Sequence, residues 1–357
     1  MTNKQIGLAL LALAVIIGVV WKFFGETQAP QQVVKGFIGS EKAGFFEDER
    51  VKKILAEKYG ITVDYIRAGS LEMVQENPQG YDFLFPSSDV AVEIFQSLNK
   101  KAVKIETIFY SPIVFYSWDI ITDALMKNGI VQLHEKTYTV NFKKLLDLIV
   151  QGKRWSEIGL PELYGRVTII PTDPTKSNSG SMFAALVANM LNNGEVVNEN
   201  TIGAVLPSLK KVFTLIGHME RSSGFLFEQY LTTGVGAKPI IVNYEQAIIE
   251  FSVDHQDVWD KVKNKIRILY PEPTVWSAHP LIALSPSGAN LIKALQDKEI
   301  QKIAWERHGF RTGLIGTQND AKILNLVGIP EKVTQVIPMP GAAVMDTILK
   351  SFGTNKP

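Results

Sequence analysis

The chain contains no cysteine, which excludes disulfides, thiolate metal sites, thiol catalysis and a lipid-modified N-terminal cysteine together. It also lacks a charge excess: 37 basic and 36 acidic residues leave a formal net charge of +1, so no nucleic-acid partner is expected. No low-complexity tract and no repeat at a solenoid period is present. Neither G-x-x-x-x-G-K-[ST] nor G-x-G-x-x-G occurs, and Gly234-Val235-Gly236 alone reads as a loop. The five histidines, His134, His218, His255, His279 and His308, show no metal-ligand spacing. A stretch from Asp173 imitates the start of a calcium loop, but its twelfth position is Ala184 instead of glutamate. Asn178-Ser179-Gly180 lacks the flanking glycines of a nucleophile elbow. These absences argue against catalysis, and neither a metal nor a cofactor is expected. What is present is length and apolar content: 357 residues, 46% hydrophobic, suffice for two packed cores.

Residues 5–21 form an uncharged, mostly apolar run of 17 residues, continued by Phe23 and Phe24 after Lys22. A membrane helix needs about 20 residues, whereas the apolar stretch of a cleaved signal peptide has roughly 7–15. The nearest small-x-small site, Thr27-Gln28-Ala29, is followed by Pro30, which disfavours cleavage. The expectation is therefore an uncleaved transmembrane anchor over residues 1–24, crossing the membrane through residues 5–24, with a polar tether at 25–32 and an exported body. A cleaved signal is the alternative.

Beyond the tether, strand and helix signals alternate. Residues 33–38 read as a strand and 47–59 as a helix, with Val51, Ile54, Leu55 and Tyr59 on one face and Gly60 as its stop. Strands at 61–66 and 81–85 follow, and all three strands end in loops with small hydroxyl residues: Ser40, Ser70, then Ser87 and Ser88. In open α/β sheets ligands lie outside the carboxyl ends of strands. A long apolar strand at 108–118, interrupted at Ser111-Pro112, and an extended stretch from 266 bracket a further α/β region. Crossovers near 112–118 and 270–277 imply an inserted domain: residues 33–115 and 277–357 form lobe one, and 116–276 form lobe two. Within the insert, a strand at 167–170 runs into the loop Pro171-Thr172-Asp173-Pro174-Thr175-Lys176-Ser177-Asn178-Ser179-Gly180-Ser181 and then a helix. Its hydroxyls, amide and glycine sit at a helix start with unpaired N–H groups, which suits a polar or anionic ligand.

The order Gly39-Ser40-Glu41-Lys42, Gly69-Ser70, Tyr81-Asp82-Phe83-Leu84-Phe85, Ser179-Gly180-Ser181, Val242-Asn243-Tyr244-Glu245, Tyr270-Pro271-Glu272-Pro273-Thr274 and His308-Gly309-Phe310-Arg311 resembles type-II extracellular solute-binding proteins, the receptor subunits of ABC importers. The resemblance spans residues 33 to about 312 and is nearest the branch of sulfate, molybdate and metal-oxyanion binders. It implies a two-lobed α/β type-II periplasmic-binding-protein fold with two hinge crossovers, here preceded by one N-terminal transmembrane helix. It further implies a small polar or anionic solute as ligand, an ABC permease subunit or other membrane partner, and no covalent chemistry. The expected location is the cell membrane, single-pass, with the body extracytoplasmic. The ligand itself does not transfer with the fold.

Ser40, Ser70 and Ser88 match lobe-one contact positions, each with helix capping as the alternative. Ser177, Asn178, Ser179, Gly180 and Ser181 match the lobe-two contact loop, in which one residue must cap the helix. Tyr244 ends a lobe-two strand and can donate its phenol, and Arg221 can clamp an oxyanion or remain a surface residue. Glu245 implies a cationic ligand or a structural pair with Arg221 or Lys238. Trp118 and Trp276 flank the crossovers. The alternative function is a ligand-sensing or structural membrane-anchored ectodomain on the same fold.

Overall fold

The computed structural model describes residues 31–314, 319–324 and 326–353. The anchor expected at 1–24 and most of the tether lie outside them, and among the described residues no helix is long and apolar enough to cross a membrane. Among the described residues eight strands lie on a path β2-β1-β3-β9-β4-β8-β6-β5, and a ninth, β7, pairs with β4 off that path. They are β1 (Gln32–Ile38), β2 (Ile61–Arg67), β3 (Phe83–Phe85), β4 (Lys104–Trp118), β5 (Val131–His134), β6 (Thr137–Asn141), β7 (Ile240–Tyr244), β8 (Ile266–Glu272) and β9 (Trp276–Ala283).

Strand β4 divides this path in two. From Lys104 to Pro112 it runs antiparallel to β9, and from Ile113 onward it pairs with β7 and β8 instead. The interruption expected at Ser111-Pro112 does not occur. Proline lacks an N–H to give to a ladder, but Pro112 sits where the chain passes from one sheet to the other, and its carbonyl still accepts from the Glu245 N–H at 3.0 Å. The return passage lies between the end of β8 at Glu272 and the start of β9 at Trp276.

Local signals explain most elements. The Asp48 side chain accepts from the Arg50 N–H at 2.8 Å and starts helix Glu49–Tyr59, which ends on Gly60 at φ 65°, a left-handed cap that glycine adopts without strain. Extended backbone at Asp48 separates this helix from a shorter one, Ala43–Glu47, so the helix expected from residue 47 is two pieces. The strand expected at 167–170 is reduced to one bridge: the Ile170 N–H donates to Ile240 O at 2.9 Å and its carbonyl accepts from Val242 N at 3.0 Å. Val167 turns instead to Lys153 O.

Apolar clusters fill both halves. One gathers Val34, Ile38, Phe45, Phe85, Phe109 and Leu281 around β1, β3 and β9. The larger gathers Phe115, Phe142, Phe183, Leu209 and Ile241 around the other half. Helix Asn178–Leu191 is buried on nearly every side, from Ser179 to Met190, as expected of a helix apolar all round. The C-terminal segment packs against the larger cluster and also reaches the first half. Ala321, Leu324, Ile329 and, on helix Ala342–Gly353, Val344, Met345 and Ile348 join the larger cluster. The apolar stripe of that helix finds its complement there, where the Phe352 ring lies 4.6 Å from Phe213. Its N-terminal end bonds the first half, because the Ala342 N–H donates to Glu93 Oε2 at 2.9 Å.

Candidate functional site

The loops after β1 and β2 face the start of helix Asn178–Leu191 and the end of β7 across a cavity of about 210 Å³. Six of the residues singled out from sequence line it: Ser40, Ser70, Ser177, Asn178, Arg221 and Tyr244. Ser40 opens a 3-10 turn, Ser40–Lys42, directly after β1. Ser70 opens helix Ser70–Gln75, where the Glu72 carboxylate accepts from the Gly69 N–H at 3.2 Å. Buried Ser70 Oγ in turn accepts from the Ser87 N–H at 2.9 Å, so it fixes one loop against the next.

From the other side, Asn178 Nδ2 donates to the Ser87 carbonyl at 2.6 Å and to Tyr244 Oη at 3.1 Å. Ser40 Oγ lies 3.4 Å from Ser222 Oγ, and Gln246 Nε2 lies 3.4 Å from the Glu41 carbonyl. The two halves thus touch directly around the chamber. Burial pushes the Tyr244 phenol well above its ordinary pKa, and the nearby Glu41 carboxylate adds to this, so Tyr244 stays neutral and can donate.

Other expected residues sit elsewhere. Ser179 Oγ is fully buried and bonds Thr172 Oγ1 at 2.8 Å and Ser177 Oγ at 3.2 Å, so its hydroxyl stabilises the loop and does not line the chamber. Gly180 is also absent from the lining: a Cβ there would overlap the Thr172 carbonyl, which makes it a close-packing position. Ser181 lines a second cavity, beside the first. Ser88 is buried at the N-terminus of helix Asp89–Ser97, outside the lining. Glu245 pairs with neither Arg221 nor Lys238. Its carboxylate accepts from Arg311 Nε at 2.6 Å, Arg311 Nη2 at 2.8 Å and Tyr270 Oη at 2.6 Å, while Lys238 turns to Glu220. Trp118 packs on Tyr230 with ring centroids 4.7 Å apart and donates to Lys238 O, and Trp276 stands edge-on to Tyr110.

Behind the chamber lies a polar group that sequence reasoning did not single out. The fully buried Lys42 ammonium donates to Glu41 Oε1 at 2.5 Å and to Ser87 Oγ at 2.6 Å, and the Ser87 hydroxyl donates a hydrogen bond to Glu41 Oε1. Burial pushes the Glu41 carboxyl up, yet the Lys42 charge and these hydrogen bonds outweigh it and hold the group below its ordinary value. His279 is buried beside them. Its Nε2 is 3.3 Å from Ser277 Oγ, and its Nδ1 has no hydrogen-bond partner. Burial, then the neighbouring Lys42 charge, keep its pKa well below the usual imidazole value, so the ring is neutral. A Glu-Lys pair in a loop reads as solvated charge. The one available signal was its position between a buried strand and the apolar Phe45-Phe46.

The chamber therefore offers hydroxyl, amide and phenol donors, with exposed Arg67, Lys176 and Arg221 around Glu41 and Glu72. Among the described residues no group of three or more His, Asp or Glu side chains converges as a metal site.

This architecture is the two-lobed α/β periplasmic-binding-protein fold. The iron-bound HitA of Pseudomonas aeruginosa matches 90% of this chain over 99% of its own, with a TM-score of 0.60 and 13% identity. The apo ferric ion-binding protein A of Pasteurella haemolytica matches 90% over 97% of its own length, with a TM-score of 0.57 and 15% identity. The sulfate-binding protein SubI of Mycobacterium tuberculosis matches 89% over 99%, with a TM-score of 0.54 and 12% identity. At such identities the likeness establishes the fold alone. No protein-family model and no curated protein sequence matches the chain.

Proposed function

We propose that the protein is an extracytoplasmic solute receptor, without catalytic activity, whose lobes close on a small polar or anionic ligand and present it to an ABC-type permease. The observation that carries this reading is the chamber at the strand ends, lined from one side by Ser40 and Ser70 and from the other by Asn178, Tyr244 and Arg221. Such a ligand would favour the closed state by touching both walls at once, which is the differential affinity that closure requires. The membrane anchor over residues 5–24 belongs to the same reading. Isothermal titration of the full-length protein with oxyanions, amino acids and small carboxylates tests it. One class should bind, and Asn178→Ala or Tyr244→Phe should weaken that binding roughly tenfold, the worth of one hydrogen bond to a charged group. Absence of binding by every class overturns it.

A second reading, a ligand-sensing or structural ectodomain without transport, draws on the direct contact of the walls. Asn178 reaches the Ser87 carbonyl at 2.6 Å, and a Cβ on Gly69 would stand 3.0 Å from the Lys176 carbonyl. On this reading Asn178→Ala leaves association with a membrane partner intact while no solute is bound.

A further inference from the structure

The chamber is not a closed box. A second cavity, of about 590 Å³, shares Gly69, Ser70, Lys176 and Asn178 with it, so the two spaces adjoin at the place where Gly69 approaches Lys176. Sites for organic ligands run from about 300 to 1,000 Å³. The inner chamber, at about 210 Å³, falls below that range, and the second cavity falls within it.

The linings differ in kind. The inner chamber is hydroxyl, amide, phenol and charge. The outer compartment adds aliphatic surface: half-buried Leu71 and Ile94 on one side, Pro174 on the other, and half-buried Leu349 from the C-terminal helix as a third wall. Its charges do not favour a second anionic group. Lys350 is neutralised by Asp346 at 2.6 Å, which leaves Glu72 and Glu76 against Lys176 alone.

We infer that this compartment receives the uncharged body of an elongated organic anion whose charged head occupies the serine-lined chamber. The inference rests on the receptor reading and narrows its substrate class to organic monoanions or phosphate monoesters with a short aliphatic or hydroxylated tail. Inorganic oxyanions would fill only the head position. The C-terminal helix thereby becomes a specificity element, because its Asp346, Leu349, Lys350 and Gly353 line the compartment.

The test is a chain-length series titrated calorimetrically into the full-length protein. Inorganic phosphate is compared with methyl, propyl and hexyl phosphate, with parallel alkyl sulfate and carboxylate series. Each methylene entering the compartment should tighten binding roughly three- to fourfold, so hexyl should exceed methyl by well over about tenfold in at least one series. Leu349→Asp and Ile94→Asp, each verified as folded by its melting transition, should flatten that dependence. Affinity independent of chain length in a protein that binds the inorganic ion overturns this inference and leaves the receptor reading standing. A dependence that survives both substitutions also overturns it. No binding by any probe, inorganic ions included, overturns this inference, and it overturns the receptor reading too when amino acids also fail to bind.

Discussion

Two buried charge pairs, Glu41–Lys42 and Glu245–Arg311, resemble each other in burial and differ in employment. Glu245 is fully enclosed, and its oxygens are taken by Arg311 and Tyr270, while the guanidinium also donates to the Pro330 and Glu331 carbonyls. That pair ties the end of β7 to the segment after helix Lys298–His308, across the place where the sheets meet. Glu41 has the same local charge balance, yet it is one of the residues that line the chamber. A buried charge thus bears on ligand choice when one of its faces is left uncovered, and on stability when none is.

The sharpest way to break this comparison is at Arg311. Arg311→Ala strands a buried carboxylate, and the expected loss is about 3–5 kcal/mol in equilibrium denaturation, with solute binding changed only through the folded fraction. Lys42→Met should cost less, about 2–3 kcal/mol, because Glu41 can draw water from the chamber. Unlike Arg311→Ala, it should weaken anion binding in the folded protein by calorimetry. Gly180→Ala probes the opposite wall. Its Cβ would meet the Thr172 backbone, and a loss of about 1–3 kcal/mol is expected from chemical melts.

The smallest effect is in pH. His279 stays neutral when folded, with a pKa well below the ordinary 6.5, so below that pH the unfolded chain binds a proton that the folded chain refuses. Stability from this group is complete above about pH 6.5 and falls as the pH drops, by at most about 1.4 kcal/mol per pH unit. Measured melts from pH 7.5 to 5 should show this slope in excess over His279→Phe. In Lys42→Met the excess should shrink, since the Lys42 charge is one cause of the depression.

Much of the scaffold was legible in the sequence because its signals are local. The glycine stop at 60, the strand run of β1 and the alternation of β2 depend on a few neighbouring residues. The site was half legible. Serines after strands fell at the cleft, since strand ends converge there, but the richest loop spends Thr172 and Ser179 on each other. Nothing within a few residues of Glu245 announces Arg311, 66 positions away, and nothing near Lys42 announces that it is buried. The seat of the C-terminal helix was illegible for the same reason: its apolar stripe shows that it packs, and only the partner surface on helix Ile202–Ile216 shows where.

Strand β1 carries a mechanical consequence. It opens the described chain at Gln32 and is flanked by β2 and β3, both parallel to it, in a ladder that runs from Gln32↔Ile61 to Ile38↔Arg67 on one side. Any pull delivered by the preceding thirty residues therefore loads these bonds in shear, all at once, and not one by one as in a zipper. The load enters only the half of the molecule built on β1. The half built on β7 and β8 lies beyond it, outside the loaded ladder.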